Sequence, residues 1–335
     1  MVNLGIIGAT TWGTTLATIN SSNDNNKTTL FARTKEEATN LTTNGFSMKH
    51  LSKLSLPKKL HVSYIKNSTL KESDILILAV PSESFRENIK SIASNINDKA
   101  ILISASKGLE IQSGKRMTEI MSEELPHINK NRICALSGPN LAGEIIMGLP
   151  SSSVIACEST KTALFVQNTL TSHLFRIYTN NDLVGVEIAG AFKNIIAIAA
   201  GISDGLKLGN NAKSSIITRG LAEMARFGEA LGANKSTFAG LSGMGDLIAT
   251  CSSNMSRNYQ AGELLATGKT ASEIIASSNN IIEGISTTKS IMNISKLQNV
   301  ELPLAKSVFD VLFNDLTPLE GVKNLMERDQ TSETH

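Results

Sequence analysis

Residues Val184 to Gly201, VGVEIAGAFKNIIAIAAG, carry only two charged side chains, Glu187 and Lys193. Apart from Asn194, the rest are apolar or small. Gly190, Asn194, Ala197 and Gly201 recur at helical spacing and share one face. Small side chains on a face let a second helix come close, although glycine inside a helix costs roughly 1 kcal/mol against alanine. The stretch is therefore expected to be the helical spine of one part of the fold. Lys193 has Ala189, Gly190, Ile196 and Ala197 as its three- and four-residue neighbours, and none of them neutralises it. Such a lysine either runs its stem out to water or keeps its ammonium in a site with a purpose. Composition alone leaves both readings open.

A chain of 335 residues suggests two domains. The net charge of +2 gives no strong field favouring nucleic acid or a membrane surface. Cys134, Cys157 and Cys251 are far apart and odd in number, which argues against a disulfide scaffold and for a reducing, cytoplasmic compartment. Five histidines show no metal-ligand spacing, so no metal is expected. The N-terminus lacks a basic region and is interrupted by Gly5, Gly8 and Gly13, unlike a signal peptide. No uninterrupted apolar run of 18 residues is apparent, so no transmembrane helix is expected.

Val2 to Ile7 reads as a strand. GATTWGTTLATI follows from Gly8 to Ile19, with a helix opening near Gly13, and Thr28 to Ala32 reads as the next strand. Strand, glycine turn, helix and strand, in that order, are the context of a dinucleotide-binding turn. Gly8 allows the tight turn and Gly13 allows close packing of helix on strand. The amides at the helix N-terminus then face a pyrophosphate. The middle glycine of GxGxxG falls at position 10, where this chain has Thr10, whose Cβ would crowd the diphosphate. An ordinary strand-to-helix turn fits the same residues. The second strand ends in Arg33 with no carboxylate for a ribose 2′-hydroxyl. An arginine there suits a 2′-phosphate, so NADP, with NADPH favoured, is expected over NAD.

Lys49 to Lys59 reads as a solvated basic connection. Asp74 to Pro81, Ala100 to Ser104 and Ile133 to Leu136 are apolar runs of the kind that form buried parallel strands. Ser82 to Ile96 between them reads as an amphipathic helix. Val154 to Cys157 and Phe175 to Tyr178 are strand-like as well. The pattern predicts a doubly wound, mostly parallel sheet over the first ~180 residues. Lys107 in SKGLE sits just past the end of one of these strands, where open α/β sheets bind ligands. It can hold a phosphate or a developing oxyanion there. SGPNLAGE, Ser137 to Glu144, follows another strand end.

From Leu183 helical periodicity takes over, which places a boundary between a dinucleotide-binding domain (1–182) and a helical substrate-binding domain (183–330). A long helix is expected over Asn211 to Gly232, with Ser214 a plausible start. A glycine-rich connection runs to GMGD, and Asp246 to Thr250 opens another helix. Ser256 is a plausible N-cap, with Arg257 and Asn258 in the first turn. Amides and a guanidinium at a helix N-terminus make a phosphate site. NIIEG, Asn280 to Gly284, is a loop with one carboxylate, Glu283.

In these residues the sequence resembles the NAD(P)-dependent glycerol-3-phosphate dehydrogenases of bacterial type, over nearly the whole chain. The blocks that carry the likeness are GATTWGTTLA, SKGLE, SGPNLAGE, EIAGAFKNIIAIAAGI, SIITRGLAEMARFG, TFAGLSGMGDLIATCSS, SRNYQAG and IIEGISTTK, in order. The resemblance implies reversible reduction of dihydroxyacetone phosphate to sn-glycerol 3-phosphate by NADPH or NADH, supplying glycerophospholipid synthesis, and a homodimer. It makes Lys193 the proton donor and acceptor, Lys107 a contact of both cofactor and substrate oxygen, and Asp246 the group that orients Lys193 or a substrate hydroxyl. Ser256, Arg257 and Asn258 would hold the phosphate, and Gly138 and Asn140 would line the substrate side. Thr11, Trp12, Arg33, Ala142, Ile281 and Glu283 match the family's cofactor contacts, and Arg257 reaches the cofactor as well. Thr10 and Asn140 depart from the family pattern, though each offers a hydrogen-bonding side chain, and the Thr10 hydroxyl would donate to the diphosphate. Two other readings fit parts of the pattern. One is an enzyme of related architecture acting on a hydroxy acid or sugar-acid phosphate. The other is a non-catalytic dinucleotide-binding protein.

Overall fold

A computed structural model of the chain describes residues 1–46, 54–67, 70–278, 281–330 and 332–333. Residues 49–53 of the basic connection Lys49 to Lys59, and Asn280, lie outside the described residues.

Eight strands form one sheet: β1 (Val2–Ile7), β2 (Asn26–Ala32), β3 (His61–Tyr64), β4 (Ile75–Leu78), β5 (Ile101–Ser104), β6 (Ile133–Ser137), β7 (Ser151–Cys157) and β8 (Phe175–Asn180). Their order is β3-β2-β1-β4-β5-β6-β7-β8. β4, β5 and β6 are buried at every residue, because helices cover both faces, and this is why they read as unbroken apolar runs. β3 was not expected; HVSY is a half-exposed edge strand without such a run. The sheet is parallel from β3 through β6, but β7 runs antiparallel to β6, and β8 is parallel to β7. The connection from β6 to β7 holds only a five-residue helix. At 1.5 Å per residue that helix is too short to carry the chain back along a strand.

The helices are α1 (Thr11–Ser21), α2 (Lys35–Asn44), α3 (Phe85–Ile92), α4 (Met117–Glu124), α5 (Ala142–Ile146), α6 (Thr160–Leu170), α7 (Leu183–Gly205), α8 (Gly209–Ala230), α9 (Lys235–Phe238), α10 (Asp246–Cys251), α11 (Arg257–Ala266), α12 (Ala271–Ser277), α13 (Glu283–Leu297), α14 (Pro303–Phe313) and α15 (Pro318–Met326). The single helix expected over Ser82 to Ile96 is instead α3 flanked by short 3₁₀ turns, with Phe85, Ile89 and Ile92 on its buried face. α8 starts at Gly209, ahead of Ser214.

α1 begins at Thr11 because Thr10, not a residue near Gly13, is its N-cap. The Thr10 hydroxyl accepts from the Gly13 N–H at 3.1 Å and donates to the Ala79 carbonyl at 2.8 Å. That donor is therefore committed within the protein, contrary to the expectation that it serves a diphosphate. Gly8 has φ +106°, and a Cβ on Gly13 would lie 2.0 Å from the Gly8 carbonyl oxygen. Both glycines are thus required by the turn itself.

α7 is the spine of the helical part, and 19 of its 23 residues are buried. The Asp182 carboxylate caps it, accepting from Gly185 N–H at 2.8 Å, Asn234 N–H at 2.9 Å and the Thr237 hydroxyl at 2.6 Å. Its small-residue face receives α11 backbone to backbone. A Cβ on Gly201 would lie 2.0 Å from the Tyr259 carbonyl oxygen, and one on Gly262 would lie 2.1 Å from that of Ile198. By length and composition α7 could cross a membrane, which the expectation of no such run missed. Yet 83% of its apolar window is buried inside the protein, as in the core helix of a globular domain. The three cysteines are buried and form no disulfide.

Candidate active site

Lys193 lies mid-way along α7 and is 7% exposed. Its Nζ donates to Asp246 Oδ1 and to Thr250 Oγ1, both at 2.7 Å. Of the two readings that composition left open, the ammonium stays inside. Asp246 opens α10 and is 1% exposed. A π-helical turn, Leu241–Gly245, sets its entry angle. A Cβ on Gly243 would lie 2.1 Å from the Phe238 carbonyl oxygen, so that turn depends on glycine. The Thr250 hydroxyl donates to the Asp246 carbonyl oxygen at 2.6 Å, one helical turn on.

The second oxygen of Asp246 accepts from Lys107 Nζ at 2.7 Å. Lys107 also donates to the Gly138 carbonyl oxygen at 2.9 Å, beyond the end of β6. One buried carboxylate thus bridges two ammonium groups, leaving the cluster with an excess positive charge. Burial pushes the Lys107 pKa down to about 8; repulsion from Lys193 adds to this and attraction to Asp246 opposes it.

The lysines face a cleft of about 450 Å³ between the sheet and the helical part. Its sheet-side wall is Thr10, Thr11 and Trp12 after β1, and Ala79, Val80 and Pro81 after β4. β1 and β4 are the adjacent strands at which the chain order reverses, the switch point where doubly wound sheets bind ligands. Trp12 is fixed edge-on against Phe175, ring centroids 6.4 Å apart.

The far wall is the first turn of α11. Ser256 caps it, accepting from the Tyr259 N–H at 3.3 Å. Arg257 is exposed at the mouth and donates from Nη1 to the Ile281 carbonyl oxygen at 2.8 Å. The side-chain amide of Asn258 makes two internal bonds. It donates to Asn194 Oδ1 and accepts from Gly284 N–H, both at 2.9 Å, tying α11 to α7 and α13. Glu283 accepts from the Ser82 hydroxyl and from Ser82 N–H at 3.3 Å, joining the helical part to the sheet side. Burial pushes its carboxyl up, while Ser82 and the Arg257 charge oppose this.

Thr11, Trp12, Lys107, Lys193, Ser256, Arg257, Asn258, Ile281 and Glu283 all line the cleft, with Asp246 beneath the two lysines. Gly8 and Gly13 shape the turn, and Gly138 contributes a carbonyl. Arg33, Asn140 and Ala142 are not on the cleft wall. Arg33 is exposed past β2, and its N–H donates to the Glu37 carboxylate at 2.7 Å. Asn140 turns to β7, where its Oδ1 accepts from the Ser153 hydroxyl at 2.8 Å. Leu141, beside Ala142, does reach the cleft. Sequence reasoning missed Asn194, Thr250 and Ser82. Thr250 was signalled by its four-residue spacing from Asp246 on one helix. Ser82 carried no such signal, because its partner is 201 residues away.

A cleft at the switch point of a doubly wound sheet, closed by a helical part that presents a buried lysine, defines a dinucleotide-dependent dehydrogenase. Residues 3–163 match the family described as the NAD-dependent glycerol-3-phosphate dehydrogenase N-terminus, and residues 182–323 match its C-terminus. The chain belongs to the NAD-dependent glycerol-3-phosphate dehydrogenase family. It is 43% identical to a glycerol-3-phosphate dehydrogenase [NAD(P)+] of Dehalococcoides mccartyi, over 99% of this chain and 93% of that protein. It is 39% identical to one of Chlorobium phaeobacteroides, covering 99% of each. The crystal structure of glycerol-3-phosphate dehydrogenase from Coxiella burnetii superposes with a TM-score of 0.91 at 33% identity, covering 98% of this chain and 99% of that one.

Proposed function

We propose that this enzyme reduces dihydroxyacetone phosphate to sn-glycerol 3-phosphate, reversibly, with Lys193 as proton donor and acceptor. The observation that carries this reading is the joint placement of Lys193, Asp246 and Lys107 beside the first turn of α11. An ammonium has three N–H donors. Lys193 directs two of them to Asp246 and Thr250, which leaves the third for a carbonyl oxygen in the cleft. Lys107 adds positive charge where an alkoxide develops. The first-turn amides of α11 and Arg257 receive the phosphate dianion. The nicotinamide, when bound, supplies the hydride. The turn through Gly8 and Gly13, opening onto Thr11 and Trp12, fits its diphosphate. The division at Asp182 into a dinucleotide-binding domain (1–182) and a substrate domain (183–330) follows the end of the sheet and the cap of α7.

NADPH is the expected preference, with Arg33 on the 2′-phosphate; its exposure suits a group at the cleft's outer end. A homodimer, a cytoplasmic location and supply of phospholipid synthesis accord with the family likeness and the free cysteines. The assay is oxidation of NADPH and, separately, NADH by the purified protein, with and without dihydroxyacetone phosphate. Oxidation that does not depend on that substrate would overturn the reading.

Arg257→Ala is expected to raise KM for dihydroxyacetone phosphate about 10- to 100-fold, the loss of one charge-assisted contact, while kcat changes little. An unchanged KM removes Arg257 from the phosphate site. Arg33→Ala is expected to lower kcat/KM for NADPH about tenfold and leave NADH within about twofold, since only the former carries a 2′-phosphate. Equal losses with both cofactors would sink that role.

A further inference from the structure

Lys107 is borne on a tight hairpin. Leu109 pairs with Arg116 across an antiparallel bridge, and Glu110 N–H donates to the Lys115 carbonyl oxygen at 2.9 Å. The hairpin leaves the end of β5 on the sheet side, yet it is rooted in the helical part. Leu109 is 1% exposed and packs in the core around α7 with Ile188 and Phe192. At the hairpin tip, a Cβ on Gly114 would lie 3.0 Å from Ile294 on α13. The returning arm is held by Glu187, on α7 six residues before Lys193. The Glu187 carboxylate accepts from Arg116 Nη1 at 2.8 Å, from Thr118 N–H at 3.0 Å and from the Thr118 hydroxyl. Glu187 is 8% exposed and does not line the cleft. On its outer side the hairpin is tied back to α3, where Arg86 donates to Glu110 at 2.6 and 2.8 Å.

We propose that Glu187 is a positioning residue for Lys107: it clamps the hairpin to α7, so the helix that carries Lys193 also fixes Lys107 on Asp246. The two ammonium groups then keep their spacing when cofactor enters on the sheet side. A buried carboxylate is a poor choice for stability alone, since well-packed apolar groups often serve as well or better. It makes sense where direction matters, because three donors converging on two oxygens fix an angle that apolar packing does not. This inference rests on the catalytic role given to Lys107 above.

The test is a double-mutant cycle in the NADPH-dependent reduction of dihydroxyacetone phosphate, combining Glu187→Ala with Lys107→Met. Acting through Lys107, Glu187→Ala lowers kcat/KM about tenfold or more in the otherwise wild-type enzyme, but by less than about twofold when Lys107 is already Met. Glu187→Gln, which keeps the shape and one acceptor oxygen, restores part of the loss. Equal factors in the two backgrounds would mean a general structural role and would overturn the proposal, as would wild-type kcat/KM in a folded Glu187→Ala enzyme. If Glu187→Ala does not fold, Arg116→Gln removes one partner of the clamp from its half-buried side, and the same cycle is read with it. Wild-type activity in Lys107→Met alone would remove the role of Lys107, and this proposal with it. That outcome is visible in the single variant and so is distinguishable from failure of the cycle.

Discussion

Lys193→Ala leaves a folded enzyme that binds NADPH with near wild-type affinity and turns over at least about 10⁴-fold more slowly. The figure combines a proton-transfer contribution of about 10²–10⁴ with the loss of one charge aimed at the developing alkoxide, about 10²–10³. The wall proposed for the cofactor is Thr11, Trp12 and the loop after β4, which this substitution does not touch. The check is a fluorescence titration with NADPH alongside single-turnover reduction. Activity within about tenfold of wild type would remove Lys193 as the proton donor, because general acid catalysis alone is worth more than that.

Asp246→Asn is expected to damage both stability and rate. Asp246 is, among the described residues, the one carboxylate bonded to both lysines, and it is 1% exposed. Removing the charge leaves two neighbouring ammonium groups without a counter-ion. Breaking a buried pair in this way costs about 3–5 kcal/mol where the charge stays uncompensated. The cluster has an escape, because Lys107 can lose its proton. Attraction to Asp246 raises the Lys107 pKa against the burial that holds it at about 8, so its loss moves that pKa lower still. A step that needs protonated Lys107 then fails at a lower pH. The alkaline limb of kcat/KM, expected near the Lys107 value in the wild type, shifts to lower pH in Asp246→Asn, and the rate at neutral pH falls about 100-fold or more. A limb that stays in place would show that Asp246 does not support Lys107.

What was legible in the sequence, and what was not, follows from the range of the interactions. β4, β5 and β6 announced themselves because burial on both faces leaves no polar positions to confuse the reading. α7 was equally plain. The edge strand β3 and the reversal of β7 were not, because one is half-exposed and the other depends on how short α5 is. The chemistry of Lys193 was half visible: its local neighbours offer no counter-charge, and that is a sequence fact. Its partner Asp246, 53 residues on, is a fact of the fold, reached in the sequence only through the family likeness. Thr10 shows the opposite case. Its side chain at a glycine position suggested crowding and a donor for the diphosphate, whereas the fold uses the hydroxyl to cap α1 and to hold the β4 loop. Asn140 and Asn258 were placed on the substrate side by likeness, and in the fold the side-chain oxygen of Asn140 and one N–H and the oxygen of the Asn258 amide make internal bonds.

The proposed roles of Lys193 and α11 give the seam between α7 and α11 a consequence for substrate length. Gly201 and Gly262 let the two backbones touch, and Asn194 bonds Asn258 at the end of that seam nearest the cleft. Interiors packed this tightly do not stretch. With the proton donor proposed on one helix and the phosphate anchor proposed on the other, the span between them would behave as a fixed calliper. A three-carbon ketose phosphate that fills the calliper presents its carbonyl to Lys193. A chain one carbon longer or shorter, once its phosphate is seated, brings the wrong atom to the lysine. On the proposed roles, selection by length would reside in the glycines of a helix seam, away from the groups that touch the substrate.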